Sequence, residues 1–376
     1  MDYLWQRPLW PLFRWDQERV NPLLTEVRHQ QGQLLGAMSM LGFSVRQEAL
    51  LRTLTEEAQK TSEIEGELLS PASLRSSVAR KLGIDIGGLS PVDLSVDGVV
   101  ELMLDATQNH EAPLGHERLF GWHAGLIPSG RSGIHRIRVG TWRDDLEGPM
   151  RVISGPMGKE KIHFEAPPAA RVPQEMRGFL DWFNLGGPSE GGSLLDPVLK
   201  SAIAHLWFVT IHPFDDGNGR LARAIADMAL ARADRSTERY YSVSKEICQE
   251  RKSYYAILEA TQKGDLDISA WLSWYLGCVG RAISCAQGEL LGARKRAEFW
   301  EGIGSASLNL RQKEMLRRLL DGFDGRLTTA KWAALCGCSQ DTAGRDISAL
   351  VEAGILRKGE GGGRSSWYEL PALSEA

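Results

Sequence analysis

The sequence has no stretch of about eighteen consecutive apolar residues, the length a membrane-spanning helix needs, so no span is expected. It has no large excess of either charge. Forty-four Lys and Arg stand against 48 Asp and Glu, a net of −4, with a pI near 6.1. That balance gives no global footprint for nucleic acid or for an anionic membrane. Cysteine is scarce, and the five present are an odd number. Cys248, Cys278 and Cys285 are scattered over expected helices, and Cys336-Gly337-Cys338 is too tight for a zinc pair and has no second pair after it. Free thiols in a reducing compartment are the expectation. The start, Met1-Asp2-Tyr3, is acidic and lacks the apolar core of a secretory signal. These absences together predict a soluble, cytoplasmic chain without a membrane partner. Its 376 residues suffice for two or three domains and a sizeable core.

What the sequence does contain is concentrated in His212-Pro213-Phe214-Asp215-Asp216-Gly217-Asn218-Gly219-Arg220-Leu221-Ala222-Arg223. Before it, Pro197 to Ile211 reads as an apolar helix with Asp196 as N-cap and proline at the first position. After it, Arg220 to Arg232 is rich in Ala and Leu and reads as a second helix. The Gly-Asn-Gly thus lies at a helix N-terminus, where unpaired N–H groups and the dipole favour an anion. Arg220 and Arg223 share a face of the first turn and can clamp further phosphates. Asp216 is a carboxylate suited to Mg²⁺ beside phosphate. His212 closes the preceding helix and can serve as a general base. Taken singly, a helix-end histidine, a Gly-x-Gly and an arginine pair are ordinary. Within twelve residues they describe a nucleotide-handling site.

The stretch resembles, without departure, the signature of the Fic family, His-Pro-Phe-x-(Asp/Glu)-Gly-Asn-Gly-Arg-x-x-Arg. The resemblance implies AMPylation, the movement of AMP from ATP onto a protein hydroxyl. By position it implies that His212 deprotonates the hydroxyl, Phe214 anchors the loop and Asp216 holds Mg²⁺. It further implies that Gly217, Asn218 and Gly219 form the anion hole and that Arg220 and Arg223 hold the β and γ phosphates. The related Doc kinases carry Ala and Lys at two loop positions, and the glycines kept here argue against their reversed chemistry.

Upstream, Trp5, Trp10, Phe13 and Trp15 make an aromatic arm, read as packing on the body. The arm also resembles the start of the N-terminal extension in one bacterial branch of Fic proteins. Residues 20–40 read as one amphipathic helix. Ser44-Val45-Arg46-Gln47 fits a capping box for a helix running to Ile64, with Gly66 as its stop. The end of that helix, Thr61-Ser62-Glu63-Ile64-Glu65-Gly66, matches the family's inhibitory motif, (Ser/Thr)-x-x-x-Glu-(Gly/Asn). The resemblance implies that Glu65 pairs with Arg223 and removes it from the γ-phosphate. Residues 68–90 hold a short helix and a connector. Leu94–Ala106 and His116–Gly125 read as helices whose histidines, His116 and His123, are structural.

Residues 126–170 break the helical pattern. Arg151–Ser154 and Lys161–Phe164 flank Gly155-Pro156-Met157-Gly158 as a β-hairpin. In the family a hairpin here is the flap, so a target protein is expected to dock at 151–164 by strand addition. Pro167-Pro168 and Val172-Pro173 end the segment, and residues 176–183 begin the next helix. Beyond the signature, residues 240–244 read as a bridge and Arg251–Gln262 as a helix. On it Tyr255 and Gln262 suit an adenine, while Leu258 reads as plain packing. Residues 268–285 form a last core helix, and 286–304 a charged helix with a Gly-Ser linker.

Residues 305–370 resemble a winged helix-turn-helix, with a wing around Gly361-Gly362-Gly363 and with Gln340, Asp341, Thr342 and Arg345 facing a groove. Ten Lys and Arg against eight Asp and Glu leave this unit at only +2, which gives DNA binding weak support and leaves a protein contact or dimer role open. The expected fold is mainly α: an N-terminal helical extension over 1–88, a Fic-type helical core with its β-hairpin flap over 89–290, and a C-terminal winged helix-turn-helix over 305–370. The expected function is a protein adenylyltransferase that uses ATP and Mg²⁺, modifies a Ser, Thr or Tyr hydroxyl and is autoinhibited by Glu65. De-AMPylation at the same site, and a nucleotide-sensing DNA-binding regulator, are the alternatives. A homodimer is a prior from the family.

Overall fold

The computed structural model describes residues 3–133, 135–146, 148–155, 158–185, 195–303, 308–320, 323, 325–359 and 366–371. By compactness the chain divides into residues 1–286 and 287–376. Helices dominate both units, and the strands described pair only two by two. No helix among the described residues is long and apolar enough to cross a membrane.

The first unit is built on a helical hairpin. Helix α7 (Pro197–Ile211) starts where the Asp196 carboxylate accepts the Val198 N–H, and every residue from Val198 to Ile211 is buried. Helix α8 (Asn218–Asp234) returns against it. A helix apolar on all sides must be surrounded. Around the hairpin lie α4 (Leu94–Gln108), α5 (His116–Leu126), α6 (Val172–Leu185), α10 (Arg251–Gln262) and the start of α11 (Ser269–Ile303). The N-terminal region packs on the same body. Helices α1 (Gln17–Ser39), α2 (Phe43–Ile64) and α3 (Pro71–Leu82) precede α4, and α2 lies against α3, α4, α8 and the short α9 (Val243–Gln249). Buried Glu57 on α2 accepts the Ser242 hydroxyl and the Ser244 N–H, which fixes α2 to the start of α9.

Two small hairpins interrupt the helices. One is β1 (Arg131–Ser132) with β2 (His135–Arg136), and the other is β3 (Arg151–Ser154) with β4 (Lys161–Glu165). The aromatic arm does pack on the body. Trp5 donates its indole N–H to the Glu165 carbonyl at 2.8 Å, Tyr3 meets Phe164 edge-on, and Trp10 and Phe13 meet Trp207 of α7.

The second unit holds α12 (Leu310–Leu320), α13 (Thr329–Cys336), α14 (Gln340–Glu352) and the pair β5 (Arg357–Lys358) and β6 (Tyr368–Glu369). Met315, Leu316, Leu327, Trp332, Ile347, Leu350 and Leu356 fill its core. Gln340, Asp341 and Arg345 are exposed on α14, whereas Thr342 is half-buried and its hydroxyl and N–H bond to Ser339 at the helix start.

Several local expectations change. Helix α2 begins at Phe43 with Gly42 as N-cap and no side-chain cap, so Ser44 sits in its first turn and the expected capping box does not form. Phe43 and Val45 of that first turn are exposed, and burial of the helix begins at Leu50. The bridge expected over 240–244 gives way at Val243 to α9, which Ser242 caps through the Lys245 N–H. Val172-Pro173, expected to end the flap segment, instead opens α6, where proline in a first turn loses nothing. The two helices expected over 268–304 are the single α11, whose residues from Gln287 onward count with the second unit. The flap-turn residues 156–157, the Gly-Ser linker residues 304–307 and the wing glycines 361–363 lie outside the described residues.

Candidate active site

The loop between α7 and α8 is held from three sides. His212 caps α7 in the left-handed region (φ 52, ψ 58), and Gly217 caps the start of α8 at φ 79. Between them the chain folds back on itself. The Asn218 side chain accepts the Phe214 N–H at 3.0 Å and donates to the Phe214 carbonyl at 2.7 Å. Asn218 is thus a strut of the loop through its side chain, and its backbone N–H heads α8. Phe214 is fully buried. It stacks on His123 at 4.2 Å and packs against Trp142.

His123 supports the loop from α5. The Gly140 N–H donates to Nδ1 at 3.1 Å, so Nε2 carries the proton and donates to the Asp216 carbonyl at 3.1 Å. Burial lowers its pKa and keeps it neutral. Arg143 supports the loop from the other side, and the sequence reading passed over it. It is buried and donates to the His212 carbonyl at 2.7 Å, to Asp145 at 2.9 Å and to the Pro167 carbonyl.

At His212 the Val209 carbonyl lies 3.2 Å from Nδ1. A carbonyl can only accept, so Nδ1 holds the proton and the Nε2 lone pair is left free. Burial pushes the His212 pKa down to about 4; Arg143 acts in the same direction, while the Val209 bond, Glu65 and Asp216 oppose it in part. The ring is therefore a neutral acceptor at neutral pH. Asp215 accepts the Arg138 N–H at 2.8 Å, and Asp216 accepts the Gly217 N–H at 2.6 Å. The Gly217 N–H is thereby occupied by a carboxylate. At the start of α8 the backbone N–H groups of Asn218 and Gly219 head the helix, where an unpaired donor and the dipole face outward.

The end of α2 meets this helix start. Arg223 is buried. Its Nε donates to the Thr61 hydroxyl at 2.7 Å and its Nη2 to the Thr61 carbonyl at 2.9 Å and to Glu65 Oε1 at 2.7 Å. Burial opposes the Arg223 charge, but Glu65, together with Tyr254 and Tyr255, outweighs it, so its pKa is raised. Beneath it the neutral ring of buried His205, with a pKa lowered by burial to about 3, accepts from or donates to the Tyr254 hydroxyl at 2.9 Å. The Glu65 carboxylate also rests on the loop itself. A Cβ on Gly219 would stand 2.2 Å from Glu65 Oε1, so only glycine admits the carboxylate this close. The sequence-expected residues Thr61, Glu65, Gly66, Gly219 and Arg223 are thus brought together. Arg220 is engaged elsewhere: its Nη1 donates to Glu67 at 2.6 Å, a partner the sequence reading did not name.

The residues expected around an adenine, Tyr255 and Gln262, both lie on α10. Tyr255 is partly exposed and donates its hydroxyl to the Ile64 carbonyl at the end of α2, at 3.2 Å. Gln262 is buried and donates to the Thr210 hydroxyl at 3.3 Å. Leu258 is core packing. One turn from Tyr255, Glu259 takes hold of the β3–β4 hairpin. His163 Nδ1 lies 2.6 Å from Glu259, and the Ser154 hydroxyl 2.6 Å from His163 Nε2. Bonds from Lys263 and His163 hold the Glu259 pKa down to about 2.

Three known domains match the chain. Residues 3–84 match a domain of unknown function, DUF4172, residues 113–230 the Fic/DOC family, and residues 311–366 the DeoR-like helix-turn-helix domain. A protein adenylyltransferase of Caenorhabditis elegans is 34% identical over 95 residues, which is 25% of this chain and 17% of that protein. Its counterpart in Drosophila willistoni is 40% identical over 91 residues, 24% of this chain and 16% of that protein. The chain thus spans about one sixth of the length of these curated relatives. A solved Fic family protein from Desulfovibrio desulfuricans G20 aligns over 95% of this chain and 97% of its own, with a TM-score of 0.51 at 19% identity. A Fic domain containing signaling protein from Bacteroides thetaiotaomicron VPI-5482 aligns over 71% and 97%, with a TM-score of 0.52 at 20% identity. Both likenesses are of fold. With the loop, its two helices and its relatives all falling on one stretch, residues 113–230 form a domain of the Fic/DOC family.

Proposed function

We propose that this chain is a protein adenylyltransferase held in check by the end of α2. It would transfer AMP from ATP to a Ser, Thr or Tyr hydroxyl of another protein. The observation that carries the reading is the convergence of a neutral, loop-held His212, the start of α8 and two arginines, with a carboxylate lying on Gly219. In the reaction the acceptor oxygen bonds to the α-phosphorus as the bond to pyrophosphate breaks. His212 Nε2 takes the hydroxyl proton, a role of general bases that contributes about 10²–10⁴-fold. The backbone N–H groups at the start of α8, with Arg220 and Arg223, stabilise the phosphate charge, and such fixed donors supply most of the acceleration in phosphoryl chemistry.

Asp216 fits Mg²⁺ as a single carboxylate beside the anion positions. No three His, Cys, Asp or Glu side chains gather into a metal site among the described residues, so phosphate and water would supply the rest of the shell. The ion would neutralise phosphate charge. The β3–β4 hairpin supports docking of a target as an added strand, because Val152, Ile153 and Ile162 are exposed on a two-stranded sheet with open edges.

Incubation with α-labelled ATP and Mg²⁺, with label on protein as the readout, tests the reading. Weak labelling is expected for the wild type, stronger by about 5–150-fold for Glu65→Gly, and none for His212→Ala. No labelling of the chain or of a lysate by any variant overturns it. Release of free AMP from a modified target would assign the site to removal of AMP.

A further inference from the structure

We propose that Glu67 is a second latch: it holds Arg220 as Glu65 holds Arg223, and the two carboxylates fill the places that two adjacent phosphates of a nucleotide would take. The inference rests on the nucleotide-transfer reading above. It begins with the way α2 ends. Glu65 is the C-cap and Gly66 follows in the left-handed region at φ 87. The Gly66 N–H bonds to the Glu63 carbonyl and the Glu67 N–H to the Ser62 carbonyl, both at 3.0 Å. This pair of bonds is the Schellman cap, which needs a residue free to take positive φ at its centre. The turn fixes the backbone of Glu65 and Glu67 on either side of Gly66.

Each carboxylate then meets one arginine of α8. Glu65 reaches Arg223 at 2.7 Å and Glu67 reaches Arg220 at 2.6 Å. Both guanidinium groups are buried, with side chains only 2% and 3% exposed. Each also keeps one buried N–H without a hydrogen-bond partner, Nη1 on Arg223 and Nε on Arg220. Two desolvated cations with spare donors are what a pair of phosphate groups requires. The acids differ in shelter. Glu65 is 30% exposed and rests on Gly219, whereas Glu67 is 48% exposed. Glu67 stands at a cleft of about 700 Å³ lined by Ser95, Ile127, Arg131, Asp216 and Arg220. Glu67 is therefore the outer latch, open to solvent, and Glu65 the inner one. Removing Glu65 alone leaves Arg220 still paired. A nucleotide with β and γ phosphates competes with both acids, and AMP competes with neither.

The test is calorimetric binding of ATP and of AMP to the full chain as wild type, Glu67→Gln, Glu65→Gly and the double variant. Glu67→Gln keeps the size of a half-exposed side chain, so its thermal midpoint should match the wild type. ATP affinity should rise about 5–10-fold on Glu67→Gln in the Glu65→Gly background, with AMP affinity unchanged within about twofold. Equal ATP affinity with and without Glu67→Gln in that background overturns the latch while leaving the nucleotide reading intact. A parallel rise for AMP also overturns it, since that marks a general loosening of the site. Failure of every folded variant to bind ATP removes the nucleotide reading and the latch with it.

Discussion

The C-terminal end of α2 and the N-terminal start of α8 make a pair of opposites. A helix C-terminus carries partial negative charge and favours Lys or Arg, and α2 ends in Glu65 and Glu67. A helix N-terminus carries partial positive charge and favours Asp or Glu, and α8 starts with Arg220 and Arg223 in its first turns. Each end thus carries the sign its own dipole disfavours, at a cost of about 0.3–1 kcal/mol per charge. Across the gap the errors cancel, since each acid finds an arginine and each dipole an opposite charge. The lesson is that a helix end built against its own rules is built for a partner. For α8 that partner is the end of α2 at rest and, on the reading proposed here, phosphate during catalysis.

The strongest way to break this pairing is Arg223→Ala. It removes three donated bonds from a buried site and leaves Glu65 facing a helix start alone. A stability loss of roughly 2–4 kcal/mol is expected from denaturant midpoints. Transfer should stay at least about 10²-fold down even when Glu65→Gly is added; recovery of labelling in that double variant would show that Arg223 serves α2 alone. A smaller effect is expected of Gly66→Ala. At φ 87 an L side chain costs about 1–2 kcal/mol, and the cap that places both acids loosens. Basal labelling should rise several-fold, and a stability loss without that rise would uncouple the cap from the site.

The smallest effect is one of pH, and it sharpens the contrast between charges that pair and rings that stay neutral. With the His212 pKa near 4, transfer by Glu65→Gly should hold its plateau down to about pH 5, because only protonated imidazole fails as a base. An acid limb centred near pH 6.5 would count against a ring kept neutral. For stability the sign follows from the same shifts. His205 and His212 titrate near 3 and 4 in the folded chain and near 6.5 when unfolded. Above pH 6.5 neither state holds the protons and the two groups cost nothing. As pH falls from there toward 3 the unfolded chain binds protons first, and stability declines.

How much of this was legible in the sequence depended on how far apart the partners lie. The α7–α8 hairpin was readable because its signals are local: Asp196 and Pro197 open α7, and glycines mark the turn. The stop of α2 at Gly66 was readable for the same reason. The contact of Glu65 with Arg223 spans 158 positions and came only through the family resemblance. Arg220 with Glu67, Arg143 with the His212 carbonyl, and His163 with Glu259 join segments 153, 69 and 96 residues apart, and no periodicity encodes such pairs. Helix α9 was missed because seven residues hold too few turns to show a period, although Ser242 was a usable cap signal. Asn218 was read as an anion-hole residue, and no local signal tells that its side chain would turn back onto Phe214.

The order of segments along the chain has a consequence for synthesis. Helix α2 ends at Ile64, whereas α8 begins at Asn218. A ribosome therefore makes the two glutamates more than a hundred residues before the two arginines. When the arginines emerge, the acids that restrain them are already part of the same nascent chain. On the proposed reading, a cell never holds a newly made copy whose phosphate-binding helix exists without its restraint. The restraint needs no second protein, no matching of expression levels and no delay, because translation itself supplies it first.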